Sequence, residues 1–411
     1  MSLKNSIIFR WLAGLVKTFR REFTLIFKDK GVVLFFVLLP ILYPVVYAMI
    51  YNPEVAKDVP LVVVDECRTS LSREYVRDID ASQFVKIVDY EPNLAAAKHR
   101  MHSKDCYGIV LIPSDFETKV MRGEQAHVSM YCDMSLMLRF RGMLISVTDA
   151  TMKASTDARN KLFGNVSVLP VDQPIPTVHV PVGNEKQGLA TAIMPGVLLM
   201  ILHQSLLLGV MMMGVGVRER RKRNKEGYDP HSVATYPSAA VLGKALCYVV
   251  MYIIPSVYVL HFVPIMFQFP HMADPFEIAH LMLPFLLSVS FLGMSLQIWL
   301  REREDVFPAF VFSSIIFIFL AGVTWPRYAM SDLWVAIGNI VPGTWGVNAY
   351  VSMTMNGASL EQQVFNYNML WLLTIAYFIT AYLTERYSRL KTRRFSPHQV
   401  IKERITKMSN D

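Results

Sequence analysis

Six long apolar runs are spread unevenly along the chain. One lies near its start, Val32–Tyr51, and five follow residue 190, at Ile193–Val217, Val241–Phe267, Phe276–Leu300, Val306–Val323 and Asn368–Tyr387. Each approaches or exceeds the about 20 residues needed to cross ~30 Å of hydrocarbon. With no water there to satisfy backbone groups, the runs are predicted to be helices. None alternates in the period-two manner of a membrane barrel strand. The chain therefore reads as an α-helical integral membrane protein with six transmembrane helices and a small α/β extracytoplasmic domain inserted between spans one and two.

Residues 52–192 supply that domain. Leu61–Val64, Phe84–Val88, Gly108–Ile112 and Val128–Tyr131 are short, β-branched runs with strand character. Ser70–Ile79, Asn93–His102 and Ser114–Arg122 read as helices between them, with Ser114 and Glu117 suggesting a capping box after Pro113. The βαβαβαβ order predicts a mainly parallel sheet. Met134–Leu162 reads as a long helix, and the proline-rich 164–187 as an extended return to the membrane. Cys67 and Cys132 both follow a strand, which in a parallel sheet puts them at one end. An oxidising exterior permits one disulfide among Cys67, Cys106 and Cys132, but three reduced, half-buried thiols are the simpler expectation. No cysteine spacing resembles a metal site.

Charge sets the expected orientation. Of 41 Lys and Arg, 24 fall before the first run, in 218–244, in 301–303 or from Arg386 onward. All lie on one side if six helices alternate, and short-loop Lys and Arg stay in the cytosol. Both termini are thus expected in the cytoplasm, with 52–192 outside. The net charge of +8 is better explained by anionic headgroups beside these segments than by nucleic acid. The first run is too long, and ends without a small-x-small site, to be a cleaved signal peptide.

Residues 1–31 carry an apolar face of Ile8, Trp11, Leu12, Leu15, Phe19, Phe23, Ile26 and Phe27, with Arg10, Lys17, Arg20, Arg21 and Lys28 opposite. That pattern predicts an interfacial helix. Residues 32–51 form the first span, 193–387 hold spans two to six, and 388–411 are a basic cytosolic tail. The loop 218–240 begins with Arg218-Glu219-Arg220 and ends near Tyr236-Pro237 and Gly243-Lys244. It is either a stop-transfer cluster or a structured element that another protein pushes. Residues 322–345, from Gly322 and Pro326 to Pro342, are too short to cross twice and are predicted to dip partway into the membrane, as non-helical backbone, or to lie on its outer surface.

Together these pieces resemble the membrane subunit of ATP-binding-cassette exporters of the type-2 permease class, in the branch with a large external domain between the first two spans. The likeness covers about residues 10–390. It rests on Val62-Val-Val-Asp65, Gly108-Ile-Val-Leu-Ile-Pro113-Ser-Asp-Phe116, Arg122-Gly123, Tyr131-Cys-Asp133 and Ile193-Met-Pro195-Gly196. It continues in Arg218-Glu219-Arg220, Gly227, Pro237, Gly243-Lys244, Gly322, Pro326, Trp334, Pro342 and Gly357. The chain departs from the class in the basic run before Gly227, where Gly-Thr is common, and in Ser331, where a second proline is common.

The resemblance implies that the interfacial helix and Arg218, Glu219, Arg220, Gly227, Tyr236, Pro237 and Lys244 couple to a nucleotide-binding ATPase subunit. A second permease subunit, identical or not, would complete the path, with a periplasmic adaptor as a further partner. ATP and Mg would sit on the ATPase. This chain is expected to bind no cofactor, since Ser238 stands where a phosphate loop ending in Gly243-Lys244 needs its first glycine. The location implied is the bacterial inner membrane.

The path is expected along spans two and five, at Met200, His203, Gln204, Phe310 and Phe317, with Gly322, Pro326 and Pro342 as an outer gate. Adaptable Met and aromatic faces suit an amphipathic or lipophilic molecule. Two other readings compete. A secondary transporter or channel needs ionisable groups at mid-membrane, and His203, His261 and Glu277 are the few candidates. A force-transmitting subunit that does not itself transport has the same sequence features.

Overall fold

The computed structural model describes residues 7–51, 56–163, 188–223 and 236–394. The proline-rich 164–187, Gly227 and the basic tail beyond 394 lie outside the described residues. The chain divides into two compact units, Pro53–Val180 and the remainder.

The smaller unit is built on strands β1 (Val59–Asp65), β2 (Val85–Tyr90), β3 (Gly108–Ile112) and β4 (Ser129–Cys132), in the order β2-β1-β3-β4. β2 and β3 run parallel to β1, whereas β4 pairs antiparallel with β3. The central β1 is apolar on both faces, as a covered parallel strand requires. Leu61 and Val63 pack with Tyr75, Val76, Ile79 and Met143, and Val62 and Val64 with Ala97 and Cys106. The sheet meets its covering helix closely at Gly108, where a Cβ would lie 2.4 Å from the Met143 sulfur and make that side chain shift.

The antiparallel β4 corrects the placement of the thiols. Asp65 aligns with Ile112 at the far end of β3, while Cys132 aligns with Gly108 at its start. Cys67 and Cys132 therefore leave the sheet at opposite ends, and all four cysteines are free.

Helices are numbered along the whole chain. α1 (Ile7–Lys28) and α2 (Lys30–Tyr51) belong to the larger unit. The smaller unit holds α3 (Ser70–Asp80), α4 (Leu94–His102), α5 (Phe116–Met121) and α6 (Met137–Phe163). Thr69 and Ser72 form a reciprocal capping box at α3, and Asn93 caps α4 through the Ala96 amide. The box expected at Ser114 and Glu117 does not form. Asp115 occupies the cap of the short α5, without a side-chain bond to it.

The larger unit continues with α7 (Leu189–Arg223), α8 (Pro237–Met266), α9 (Pro275–Leu296), α10 (Val306–Leu320), α11 (Asp332–Asn339), α12 (Pro342–Asn356) and α13 (Val364–Arg394). Among the described residues, five helices are long and apolar enough to cross a membrane: Lys30–Tyr51, Leu189–Arg223, Pro237–Met266, Pro275–Trp299 and Val364–Arg389. The expected span Val306–Val323 is not one of them. Its helix has 15 residues, about 22 Å at 1.5 Å per residue, short of the hydrocarbon thickness. The helix stops at Gly322, whose φ of +85° is a left-handed conformation that side chains resist. The segment after it is also not the non-helical backbone expected, for it folds into α11 and α12.

α7 is the centre of this unit, 94% buried across its most apolar stretch, against 28% for the first span and 22% for the last. α1 buries only part of its expected apolar face. Its buried stripe is Gly14, Thr18, Glu22, Leu25 and Ile26, while Ile8, Leu12, Phe23 and Phe27 stay exposed. Close approach is possible because of Gly243, where a Cβ would come within 2.7 Å of the Leu15 carbonyl oxygen. Trp11 donates to the Ser238 hydroxyl at 3.0 Å, and the Tyr248 hydroxyl donates to buried Glu22 at 3.1 Å. A π-helical turn at Leu34–Leu38 interrupts the α-helix of the first span, and the Tyr252 hydroxyl oxygen lies 3.3 Å from the Phe35 carbonyl within it.

Candidate functional site

Arg218, Glu219 and Arg220 are not in a solvated loop. They continue α7, which runs on to Arg223. The helix α9 ends in a short 3-10 turn, Gln297–Trp299, leaving carbonyls without intrahelical partners. Arg218 covers this end, donating to the carbonyls of Ile298 at 3.3 Å and Leu300, and to that of Gln297 at 2.5 Å, which also accepts from the Leu300 amide. Glu219 accepts from the Arg303 backbone amide at 3.1 Å and pairs with the Arg303 guanidinium at 3.2 Å. The same guanidinium pairs with Asp29, which caps the first span by accepting from the Gly31 and Val32 amides. One arginine thus joins the start of the first span, the end of α7 and the turn before α10.

That turn is itself ordered. Asp305 accepts from the Glu302 and Arg301 amides, both at 2.9 Å, and these bonds hold its carboxyl below the usual range. A second set of ties reaches α13. Arg221 donates to the Ser388 hydroxyl at 2.9 Å, and Lys244 pairs with Glu385 at 2.9 Å, which also takes Arg389 at 2.8 Å. Tyr236 stands at the cap position of α8 and Pro237 in its first turn, where a missing amide hydrogen costs nothing.

The structure therefore brings Arg218, Glu219 and Arg220 together on one helix end and gives Lys244 a partner on α13. Sequence reasoning missed Asp29, Arg303 and Glu385. Their only signal is position, as charges flanking apolar runs.

Met200, His203 and Gln204 do not line an open path within this chain. They are 1%, 0% and 4% exposed in the interior of the unit. The His203 ring lies 6.1 Å from Phe285 and 5.6 Å, edge-on, from half-buried Phe317. The Phe310 side chain lies outside the described residues. What α10 does present openly is Phe312, Ile315, Ile316 and Phe319. Ile315 and Phe319, with Trp325, Met330, Ser331 and Trp334, line an apolar groove of about 410 Å³.

Past the groove, Pro326 leads into a single 3-10 turn, Arg327–Ala329. Arg327 donates to Asn339 at 2.5 Å and lies 5.2 Å over the Trp345 ring, whose indole donates to the Asn339 carbonyl at 2.9 Å. Pro342 starts α12, and Gly357, at φ +65°, ends it in the left-handed cap. Gly322, Pro326 and Pro342 thus each mark an element boundary. Among the described residues, no group of three or more His, Cys, Asp or Glu is placed to hold a metal ion.

No curated protein matches the chain significantly. The sequence profile of the ABC-2 family transporter proteins does match, over residues 30–383. That stretch takes in the first span, the α/β unit, the Glu219–Arg303 pair, the groove and much of α13. Membership in this family means a multi-pass membrane subunit that works in general with an ATPase subunit. With a match over most of its length, and with five helices among the described residues long and apolar enough to cross a bilayer, the chain is a member of the ABC-2 family of transporter proteins.

Proposed function

We propose that the chain is the permease subunit of an ATP-driven exporter that moves an amphipathic or lipophilic molecule out of the cytoplasm or inner leaflet. ATP and Mg would be held by a separate ATPase subunit, and a second permease subunit would complete the path. The observation that carries this reading is the Asp29–Arg303–Glu219 tie, together with the grip of Arg218 on the end of α9. A push on the end of α7 would reach the first span, α9 and the turn before α10 at once, which is what a packed, two-state bundle needs to amplify a small displacement. The exposed apolar face of α10 and the groove beside it support a lipophilic cargo.

The cluster of basic residues at 218–223 supports a cytoplasmic placement of that end, with both termini on the same side of a bacterial inner membrane. Six passages of the chain are supported by the two ends of α13. Leu360, just before it, donates to Glu277 in the first turn of α9 at 3.1 Å, while Glu385 near its end pairs with Lys244 early in α8. On this reading the chain would return from the 301–305 turn to the opposite side in the segment that begins with the short α10.

The test is reconstitution. The chain in proteoliposomes with its ATPase should export a lipophilic fluorescent dye only when ATP is supplied, and the chain alone should hydrolyse none. Dye movement driven by an ion gradient without the ATPase would favour the secondary-transporter reading. ATP turnover coupled to the chain, with no movement of any apolar probe, would favour the force-transmitting one. Co-purification from the native membrane tests for a periplasmic adaptor.

A further inference from the structure

His203 and Gln204 stand side by side in α7, the most deeply buried of the candidate spans, and neither finds a hydrogen-bond partner among the described residues. Both ring nitrogens of His203 and both amide atoms of Gln204 are unpaired. On the neighbouring α12, Thr344 is completely buried and its hydroxyl is unpaired as well. The two helices meet there. A Cβ at Gly343 would lie 3.2 Å from the His203 ring and 2.8 Å from the Met200 sulfur. By contrast Ser205, one residue further on, is fully engaged, accepting from the Tyr252 hydroxyl at 2.9 Å and donating to the Leu202 carbonyl.

Each buried donor or acceptor left unpaired costs about 1–3 kcal/mol, and native interiors hold few of them. Packing does not account for these residues, since Phe, Met or Val would fill the same space without that cost. An ion is a poor occupant. No carboxylate, Lys or Arg is bonded to His203 or Gln204 among the described residues, and an uncompensated charge in such surroundings is far costlier than a neutral group. The rest of the wall is apolar, with Met200, Phe285 and Phe317 around the imidazole. Phe317 is half-buried on α10, between His203 and the open face of that helix.

We propose that His203, Gln204 and Thr344 form a binding site for an uncharged head group that both donates and accepts hydrogen bonds, a hydroxyl or an amide, carried on an apolar body. Imidazole, primary amide and hydroxyl each offer both roles. The rings of Phe285 and Phe317 take the adjoining apolar part, and Phe317 is the side chain that must turn to admit it. A site built to hydrogen-bond in this way discriminates strongly against an analogue lacking the polar group. The inference rests on the transport reading above and narrows its substrate class.

The experiment uses the full chain in phosphatidylcholine nanodiscs, with 1-dodecanol and dodecane as probes and the melting midpoint as the readout. Dodecanol should raise the midpoint in a saturable way, and dodecane at the same bilayer content should not. His203→Phe and Thr344→Val should each weaken the dodecanol response about five-fold, the equivalent of one hydrogen bond. Each should also raise the ligand-free midpoint, because an unpaired polar group is removed. His203→Gln, which keeps a donor and an acceptor, should retain the response. Gln204→Leu serves as a further apolar variant if His203→Phe does not fold. Equal effects of the two probes on the unsubstituted chain, or an undiminished response in the folded apolar variants, would overturn the site. The readout needs neither ATP nor transport. Selective binding in a complex that exports nothing would therefore count against the transport reading alone, and export without selective binding against the site alone.

Discussion

The Arg303 guanidinium faces Asp29 and Glu219 at once, although those two carboxylates belong to segments far apart in the chain. Side chains at this tie are mostly covered, at 29% exposure for Arg303, 16% for Asp29 and 23% for Glu219. Solvent therefore screens them less than a surface pair, and the pairing is worth measuring as a coupling energy. A double-mutant cycle of Arg303→Ala and Glu219→Ala is expected to return about 0.5–3 kcal/mol. In the reconstituted complex, either substitution should lower transport per ATP hydrolysed. Zero coupling, with transport unchanged, would reduce the tie to an incidental contact.

Gly243 sets the distance between α1 and α8. Replacing it by Val puts a branched side chain where a Cβ already approaches the Leu15 carbonyl to 2.7 Å. Backbone cannot yield as a flexible side chain does, so a loss of about 1–3 kcal/mol is expected. Limited proteolysis near Trp11 and Ser238 should report the release of α1 from its contact. Gly123, which has open space around its Cβ position, makes no comparable demand on packing.

His261 and His271 lie 3.0 Å apart between ring nitrogens. Burial, and then the neighbouring His261, hold the His271 imidazole below its usual value. A folded state with a depressed imidazole pKa binds fewer protons than the unfolded chain. Its stability is complete above the unfolded value of about 6.5 and declines as pH falls from there toward the folded value. Melting curves of the chain in nanodiscs should show a lower midpoint at acidic pH, and His271→Phe should flatten that dependence. An unchanged pH profile in the variant would remove His271 as the cause.

Cys106 and Cys132 of the α/β unit should resist modification. Burial pushes the Cys132 thiol up to about 11 and raises that of Cys106, so little reactive thiolate is present near neutral pH. Iodoacetamide at pH about 8 should label Cys132 at least about ten-fold more slowly than in the unfolded chain. Thiol titration in denaturant without reductant should return four free cysteines. A return of two would mean that a disulfide forms in the cell despite the opposite exits of Cys67 and Cys132.

Orientation is open to direct test by single cysteines on a background lacking the native ones. Positions Ser103 and Ser359 should react with an impermeant reagent added from outside. Positions Ser232 and Ser396 should react only after the membrane is opened. Reversal of either pair would invert the proposed topology.

Sequence alone was sufficient wherever the signal is local. The apolar runs mark the five helices that, among the described residues, are long and apolar enough to cross a bilayer, because hydrocarbon leaves a backbone no other way to satisfy itself. The β-branched runs fall within a few residues of β1 to β4, and α1 and α6 within a few residues of the observed helices, because patterning and caps act over one or two turns. What depends on partners distant in the chain was out of reach. Whether β4 runs parallel or antiparallel is decided by pairing with β3, and the cysteine positions follow from it. The length of α10 was hidden by the apolar residues beyond it, since hydropathy continues to Val323 while the backbone turns at Gly322. His203 looked like a residue on a path. Only packing shows it enclosed by Phe285, Phe317 and Gly343. Arg303 looked like one charge in a short loop, and nothing in its neighbours' identities names Asp29 or Glu219 as its partners. Electrostatic pairing is set by distance in space, and that is fixed by the tertiary structure, not by position along the chain.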